Sequence, residues 1–353
     1  MSPRVTVLMT VYNGVSFLRD AIESVLGQTF DDFEFLIVDD SSTDESVRFI
    51  RSYDDVRIRL VLNSPNIGQA ASLNKGLEHA RGEYIARLDQ DDACLPGRLE
   101  AQVKLLDERA DVAIVGTWLY AIDSRGRKIR RWCPRIDNFG AYVGTLALGL
   151  CPMWHPSVMY RRNTILELGG YDPTFAPADD YDLWTKVARA RRNGAIVPEF
   201  LNLQRVHGGR QSITGRAGQE NETRRSHDRF VREFSDSPQV EALGWLMRLQ
   251  DGLWNKCPGK DHIVATVQAL EEMISKMNQT FDLSCEELAS LRSVLYGRLG
   301  LGVKLGPKLA ALPASIFYVI LVALSPVLVE RLRGPAAFLK QRLPELRYPG
   351  HLF

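Results

Sequence analysis

Three carboxylates occupy four consecutive positions in Asp89-Gln90-Asp91-Asp92, directly after the apolar run Tyr84-Ile85-Ala86-Arg87-Leu88. Like charges a few ångström apart repel and draw protons back onto one another unless a cation sits among them. Oxygen-only ligands at a strand end suit a hard divalent ion, Mn²⁺ or Mg²⁺, which keeps waters and shares its other positions with phosphate oxygens. One reading is therefore a metal–diphosphate site. The other is a solvated acidic turn that caps the next helix, since Pro96 and Arg98-Leu99-Glu100 follow in a helical pattern.

The elements that must position this cluster are legible around it. Val5 to Met9 reads as a strand running into the turn Thr10-Val11-Tyr12-Asn13-Gly14, and Phe17 to Leu26 as a helix. Phe33 to Val38 reads as a second strand, ending in Asp39-Asp40-Ser41-Ser42-Thr43-Asp44. Arg57 to Leu62 is a third, followed by Asn66-Ile67-Gly68 and a helix through Ala80. Strands alternating with helices at this spacing predict an α/β, doubly wound, mostly parallel sheet. Ligands bind beyond the carboxyl ends of such strands, where all of these polar motifs fall.

These motifs, with Gln28-Thr29-Phe30, Gly82-Glu83-Tyr84-Ile85, His155-Pro156-Ser157, Gly169-Gly170-Tyr171-Asp172, Asp179-Asp180-Tyr181-Asp182 and Arg205-Val206-His207, resemble the family 2 glycosyltransferases of the GT-A fold. The resemblance covers roughly residues 4 to 214 and departs from the family at Asp179, where Glu is usual, and at Thr10, where Pro is frequent. It implies transfer of a hexosyl group from a nucleotide-sugar, UDP-linked by preference, to an acceptor hydroxyl with inversion.

Position by position, the resemblance places Thr10, Tyr12, Asn13, Asp39, Asn66, Asp89 and Arg205 at the nucleotide. Tyr12 would stack on the base, and Asp39 would accept its imide hydrogen bond. Asp91 is the implied metal ligand, with Asp92 either a ligand or a helix cap. His207 is a metal or phosphate contact or a structural histidine, and His155 either lines the acceptor site or packs. Inversion requires a carboxylate to take the acceptor's proton, and Asp180, with Asp179 beside it, is the candidate base. At the start of the amphipathic segment Tyr181 to Ala190, a helix N-terminus would lower its pKa. The alternative makes Asp179 an N-cap and Asp180 a first-turn acid.

Composition bounds this reading: 353 residues, 45% hydrophobic and 25% charged, form a globular chain with room for an appendage. The expected organisation is a nucleotide-sugar domain over 1–214, a helical extension over 215–300 and a basic, apolar tail over 301–353. In the extension, Ser284-Cys285-Glu286-Glu287 reads as a capping box, and Ile263, Val267, Leu270, Ile274 and Met277 as a core stripe. Five scattered cysteines without a CxxC pair fit a reducing cytoplasm and no zinc, and no signal peptide is expected before the first strand.

The net charge of +1 hides an asymmetry. From Arg292 onward nine basic residues face two acidic ones, around a charge-free stretch from Leu309 to Val329 that Pro313 and Pro326 interrupt. Its readings are an in-plane or re-entrant segment, a span, or a buried helix pair or dimer contact. All three are compatible with a lipid-linked acceptor, and the expected place is the cytoplasmic face of the inner membrane, peripheral or anchored, with a glycan or lipid-linked acceptor. A nucleotidylyltransferase would want a Gly-rich basic loop after the first strand, and a silent scaffold would have lost Asp91 or Asp180; neither holds. The absence of GxGxxG argues against a nicotinamide enzyme, and the basic excess, interleaved with apolar residues, against nucleic acid.

Overall fold

The computed structural model describes residues 2–209, 216–235 and 260–302. Its first half alternates β1 (Val5–Val11), α1 (Leu18–Leu26), β2 (Phe33–Asp39), α2 (Ser46–Arg51), β3 (Ile58–Leu62), α3 (Gln69–His79) and β4 (Tyr84–Asp89). All seven residues of β2 are buried, as a strand covered on both faces requires. One face of the sheet packs Val7, Met9, Phe35 and Ile37 against Ala21, Ile22 and Val25 of α1. Burying each such aliphatic side chain contributes about 1.5–3 kcal/mol, which sets the register of the strand ends that follow.

Beyond β4 come β5 (Ala93–Cys94), α4 (Arg98–Glu108), β6 (Val112–Ile122), β7 (Lys128–Trp132), α5 (Phe139–Ala147), β8 (Met159–Arg161), α6 (Arg162–Glu167), α7 (Asp179–Arg189) and β9 (Asn193–Arg205). The strands join in the order β3-β2-β1-β4-β8-β6-β9-β5, with β7 on β6. The expected parallel pairing holds for β3, β2, β1 and β4, whose carboxyl ends share one edge. The second half is mixed: β8 runs antiparallel to β4 and β6, β7 antiparallel to β6, and β9 parallel to β6 but antiparallel to β5.

The chain divides into two compact units, Met1–Phe230 and Val231–Phe353. Helix α8 (Arg216–Val231) ties onto the first through His227 Nε2, 2.9 Å from the Ala147 carbonyl, and through Arg229, which pairs with buried Asp182. In the second unit, α9 (Lys260–Phe281) packs against α10 (Cys285–Gly302), and Leu270, Ile274 and Met277 are buried as the stripe predicted. The capping box forms reciprocally: the Ser284 N–H donates to Glu287 Oε2 at 2.9 Å, and the Glu287 N–H to Ser284 Oγ at 3.2 Å. The side chains of Ile263 and Val267, Cys257, and the stretch from Leu309 to Val329 lie outside the described residues.

Candidate functional site

The carboxyl ends of β1 and β4 open onto a cleft of about 640 Å³, bounded on its far side by the N-terminus of α7. Of the residues singled out in the sequence, Thr10, Tyr12, Asn13, Asn66, Asp89, Asp91, His155, Asp179, Asp180 and His207 line it. Asp39, Asp92 and Arg205 do not.

The β1 turn is held open by two devices. Asn13 adopts a left-handed backbone (φ 50°), and its Oδ1 accepts from the backbone N–H groups of Thr43 at 2.8 Å and Asp44 at 3.3 Å, locking this turn onto the loop after β2. Gln90, which the sequence reading passed over, clamps the Tyr12 backbone. Its Oε1 accepts from the Tyr12 N–H at 2.9 Å, and its Nε2 donates to the Tyr12 carbonyl at 3.1 Å. A Cβ on Gly14 would lie 2.2 Å from Gln90 Oε1, so that glycine is demanded by the clamp. Tyr12 itself is 48% exposed, its ring available for stacking.

Adjacent Asp39 and Asp40 do different work. Both Asp40 oxygens accept from the following loop, from Asn63 Nδ2 and the N–H groups of Ile67 and Gly68, while Asn66 Nδ2 donates to the Asp40 carbonyl. Asp39 Oδ1 accepts from the Ser42 N–H at 3.0 Å, whereas its buried Oδ2 has no hydrogen-bond partner among the described residues. An orphaned carboxylate oxygen costs free energy unless a ligand supplies the donor.

At the end of β4, oxygens of Asp89, Asp91 and Asp92 lie within 4.8 Å of one another. Asp89 Oδ1 is held at 2.5 Å by Nη2 of Arg87, a wholly buried side chain whose Nη1 donates to the Leu8 and Leu88 carbonyls. Its Nε donates to Nε2 of His155, which also lies 2.8 Å from the Tyr171 hydroxyl. Burial, reinforced by Arg87, pushes His155 down to about 3, so the ring is neutral. His155 thus both lines the cleft and packs. A lone arginine in an apolar central strand was the sequence signal for this network, since such a charge is tolerated only when paired.

Asp91 Oδ2 lies 2.8 Å from His207 Nε2, whose ring packs 4.7 Å from that of Phe17. Asp92 turns inward: its residue is 1% exposed, and its Oδ1 accepts from the Arg205 N–H at 2.8 Å. Arg205, expected at the nucleotide, is buried as well, 4% exposed. It is the last residue of β9, and its guanidinium reaches the Asp91, Asp123 and Ser124 carbonyls and Asp20 Oδ2. It braces the floor of the site and does not face the cleft.

Across the cleft, Asp179 and Asp180 open α7. Asp180 Oδ1 accepts from the Tyr181 N–H at 2.7 Å, while Asp179 Oδ2 is buried without a hydrogen-bond partner among the described residues. The expectation that the helix N-terminus lowers the Asp180 pKa is overturned. Burial, and then the Asp179 charge, push Asp180 up to about 7, and burial pushes Asp179 up to about 6. Of the aromatic candidates for sugar stacking, Trp154 lines the cleft with Trp132 tilted against it, whereas Trp118 packs on Phe200.

Comparison with known proteins agrees with this geometry. The model of "Glycosyl transferase family 2" matches residues 6–169. An uncharacterized glycosyltransferase of Methanocaldococcus jannaschii is 34% identical over 58% of this chain and 71% of its own length. The putative glycosyltransferase EpsE of Bacillus subtilis is 36% identical over 56% of this chain and 72% of its own. Among solved structures, S. aureus TarS 1–349, crystallised with UDP-GlcNAc, superposes with a TM-score of 0.55 at 16% identity, covering 84% of this chain and 92% of that one. That likeness establishes the GT-A type fold. By its sequence relatives the chain belongs to glycosyltransferase family 2.

Proposed function

We propose that this glycosyltransferase moves a hexosyl group from a UDP-sugar to an acceptor hydroxyl with inversion, aided by a divalent cation. The observation that carries the reading is the pairing, across one cleft, of the Asp89/Asp91/His207 cluster with an Asp180 carboxyl pushed up to about 7.

Asp89 and Asp91, with oxygens within 4.8 Å of each other, are hard donors that fit Mn²⁺ or Mg²⁺. Asp91 and His207 would hold the ion, with Asp89 beside them, and its charge would neutralise the leaving diphosphate. Asp92, turned onto Arg205, acts as a strut. Tyr12 stacks on the base, and the orphaned Asp39 Oδ2 accepts the imide N–H of uracil. That S. aureus TarS was solved with UDP-GlcNAc and with UDP supports a uridine donor. Asp180 accepts the acceptor's proton as its oxygen attacks the anomeric carbon from the face opposite the diphosphate. A base with a pKa near neutrality is half ionised at working pH and still avid for the proton. The basic, apolar tail supports a lipid-linked or polysaccharide acceptor used at the cytoplasmic face of the inner membrane.

Calorimetric titration with UDP, GDP and dTDP, each with Mn²⁺ and with chelator, tests the donor assignment. UDP alone is expected to bind, and only with metal; Asp91→Ala removes that dependence. Folded protein that binds no nucleotide overturns the reading.

A further inference from the structure

Strand β7 and the turn before it form a strongly basic, exposed segment of the first unit. Arg125, Arg127, Lys128, Arg130 and Arg131 place five cations in seven positions, all of them exposed. Arg127 pairs with Asp123, but among the described residues no carboxylate forms an ion pair with the other four. Among the described residues the strand pairs only with β6, and no strand pairs with its outer edge. A row of like charges along an open edge repels itself, and it keeps the edge from pairing with another strand.

Aromatic rings back the cations. Arg130 lies 3.9 Å from the centroid of the Trp132 ring and Lys128 Nζ 4.0 Å from that of Tyr120, and Arg131 sits over Tyr120 and Phe200 at 5.8 and 5.7 Å. The Trp132 ring is in turn 5.2 Å from Trp154, which lines the cleft. An unbroken line therefore runs from the candidate transfer site through two indoles to an arginine.

Resting on the glycosyl-transfer reading, we propose that this line is the acceptor track, and that its occupant is an acidic glycan, a sugar chain carrying carboxylate groups. Indole faces stack on the C–H faces of sugar rings, while a guanidinium held flat on an indole keeps its N–H edge for a carboxylate or phosphate. Two features favour a chain over a membrane surface. The track ends inside the cleft, and the register places the cations on both faces of the strand, with Arg131 opposite Tyr120 and Arg130 opposite Ala121. A planar surface would meet only one of those faces.

The test titrates the full chain with oligogalacturonate, with maltohexaose as neutral control, and follows tryptophan fluorescence. Oligogalacturonate is expected to bind and maltohexaose not, with binding falling as salt rises. The triple variant Lys128→Gln, Arg130→Gln, Arg131→Gln, checked for an unchanged melting temperature, should bind at least about tenfold more weakly. Trp132→Ala is expected to weaken it as well, which a purely electrostatic patch would not show. Equal affinity for maltohexaose, binding of inorganic polyphosphate with no binding of oligogalacturonate, or a triple variant that loses only adsorption to phosphatidylglycerol vesicles each overturns the proposal. Titrating UDP with Mn²⁺ into the wild-type protein separates the two inferences. If UDP binds and oligogalacturonate does not, the acceptor track falls and the donor reading stands; if UDP does not bind, both fall.

Discussion

Asp180 and Asp179 show how burial outweighs a favourable dipole. A helix N-terminus stabilises a carboxylate by about 0.3–1 kcal/mol, whereas desolvation and a neighbouring like charge shift its pKa by up to several units. The outcome is Asp180 at about 7 and Asp179 at about 6. Because the base works only when ionised, kcat/KM should fall as pH drops below about 7, approaching tenfold per unit. Asp179→Asn removes one of the two causes and should move this acid limb to lower pH. Asp180→Asn should lower kcat by about 10²–10⁴ while leaving UDP affinity near wild type. A profile flat from neutrality down to pH 5, or substantial turnover by Asp180→Asn, would place the base elsewhere.

At the scale of elements, the site is a set of strand ends, and what fixes them is long-range. Asp92, just beyond β4, hooks the backbone of β9 through the Arg205 N–H, 113 positions away. Asp92→Ala strands that buried donor and should cost about 1–3 kcal/mol of stability, whereas Asp92→Asn keeps an acceptor oxygen and should cost less. Neither change should alter the Mn²⁺ dependence of UDP binding as Asp91→Ala is expected to; an equal loss in Asp92→Asn would make Asp92 a ligand and not a strut. The same contrast explains what was legible beforehand. Strands β1 to β4 announce themselves because each is a mostly apolar run ended by polar turn residues, so the cleft-lining Tyr12, Asp89 and Asp91 could be placed from sequence. The two-residue β5 and three-residue β8 are too short for a period to show, and without them the antiparallel half of the sheet was invisible. The inward turns of Asp92 and Arg205 depend on that half. The Gln90 clamp rests on a contact 78 positions away that no local pattern carries, and the lone Arg87 signals that its charge must be paired without naming His155, 68 positions on, as a partner.

For the whole molecule, the distribution of charge and apolarity matters most. Among the described residues no helix is long and apolar enough to cross a membrane. The apolar stretch from Leu309 to Val329 lies beyond them, flanked by Lys304 and Lys308 on one side and Arg331 and Arg333 on the other. An apolar segment with basic ends gains from both parts of an anionic leaflet, its hydrocarbon and its headgroups, and neither contribution alone anchors a protein firmly. The full chain should therefore co-sediment with vesicles containing phosphatidylglycerol, more weakly with phosphatidylcholine alone, and more weakly still as salt rises. Leu321→Asp puts a charge in the middle of the stretch and should reduce vesicle binding at least about tenfold, while UDP binding in the first unit persists. The β7 cations remain intact in that variant, so vesicle binding that survives Leu321→Asp would shift the membrane contact from the tail to the β7 edge. It would then also compete with the acidic glycan for the same arginines.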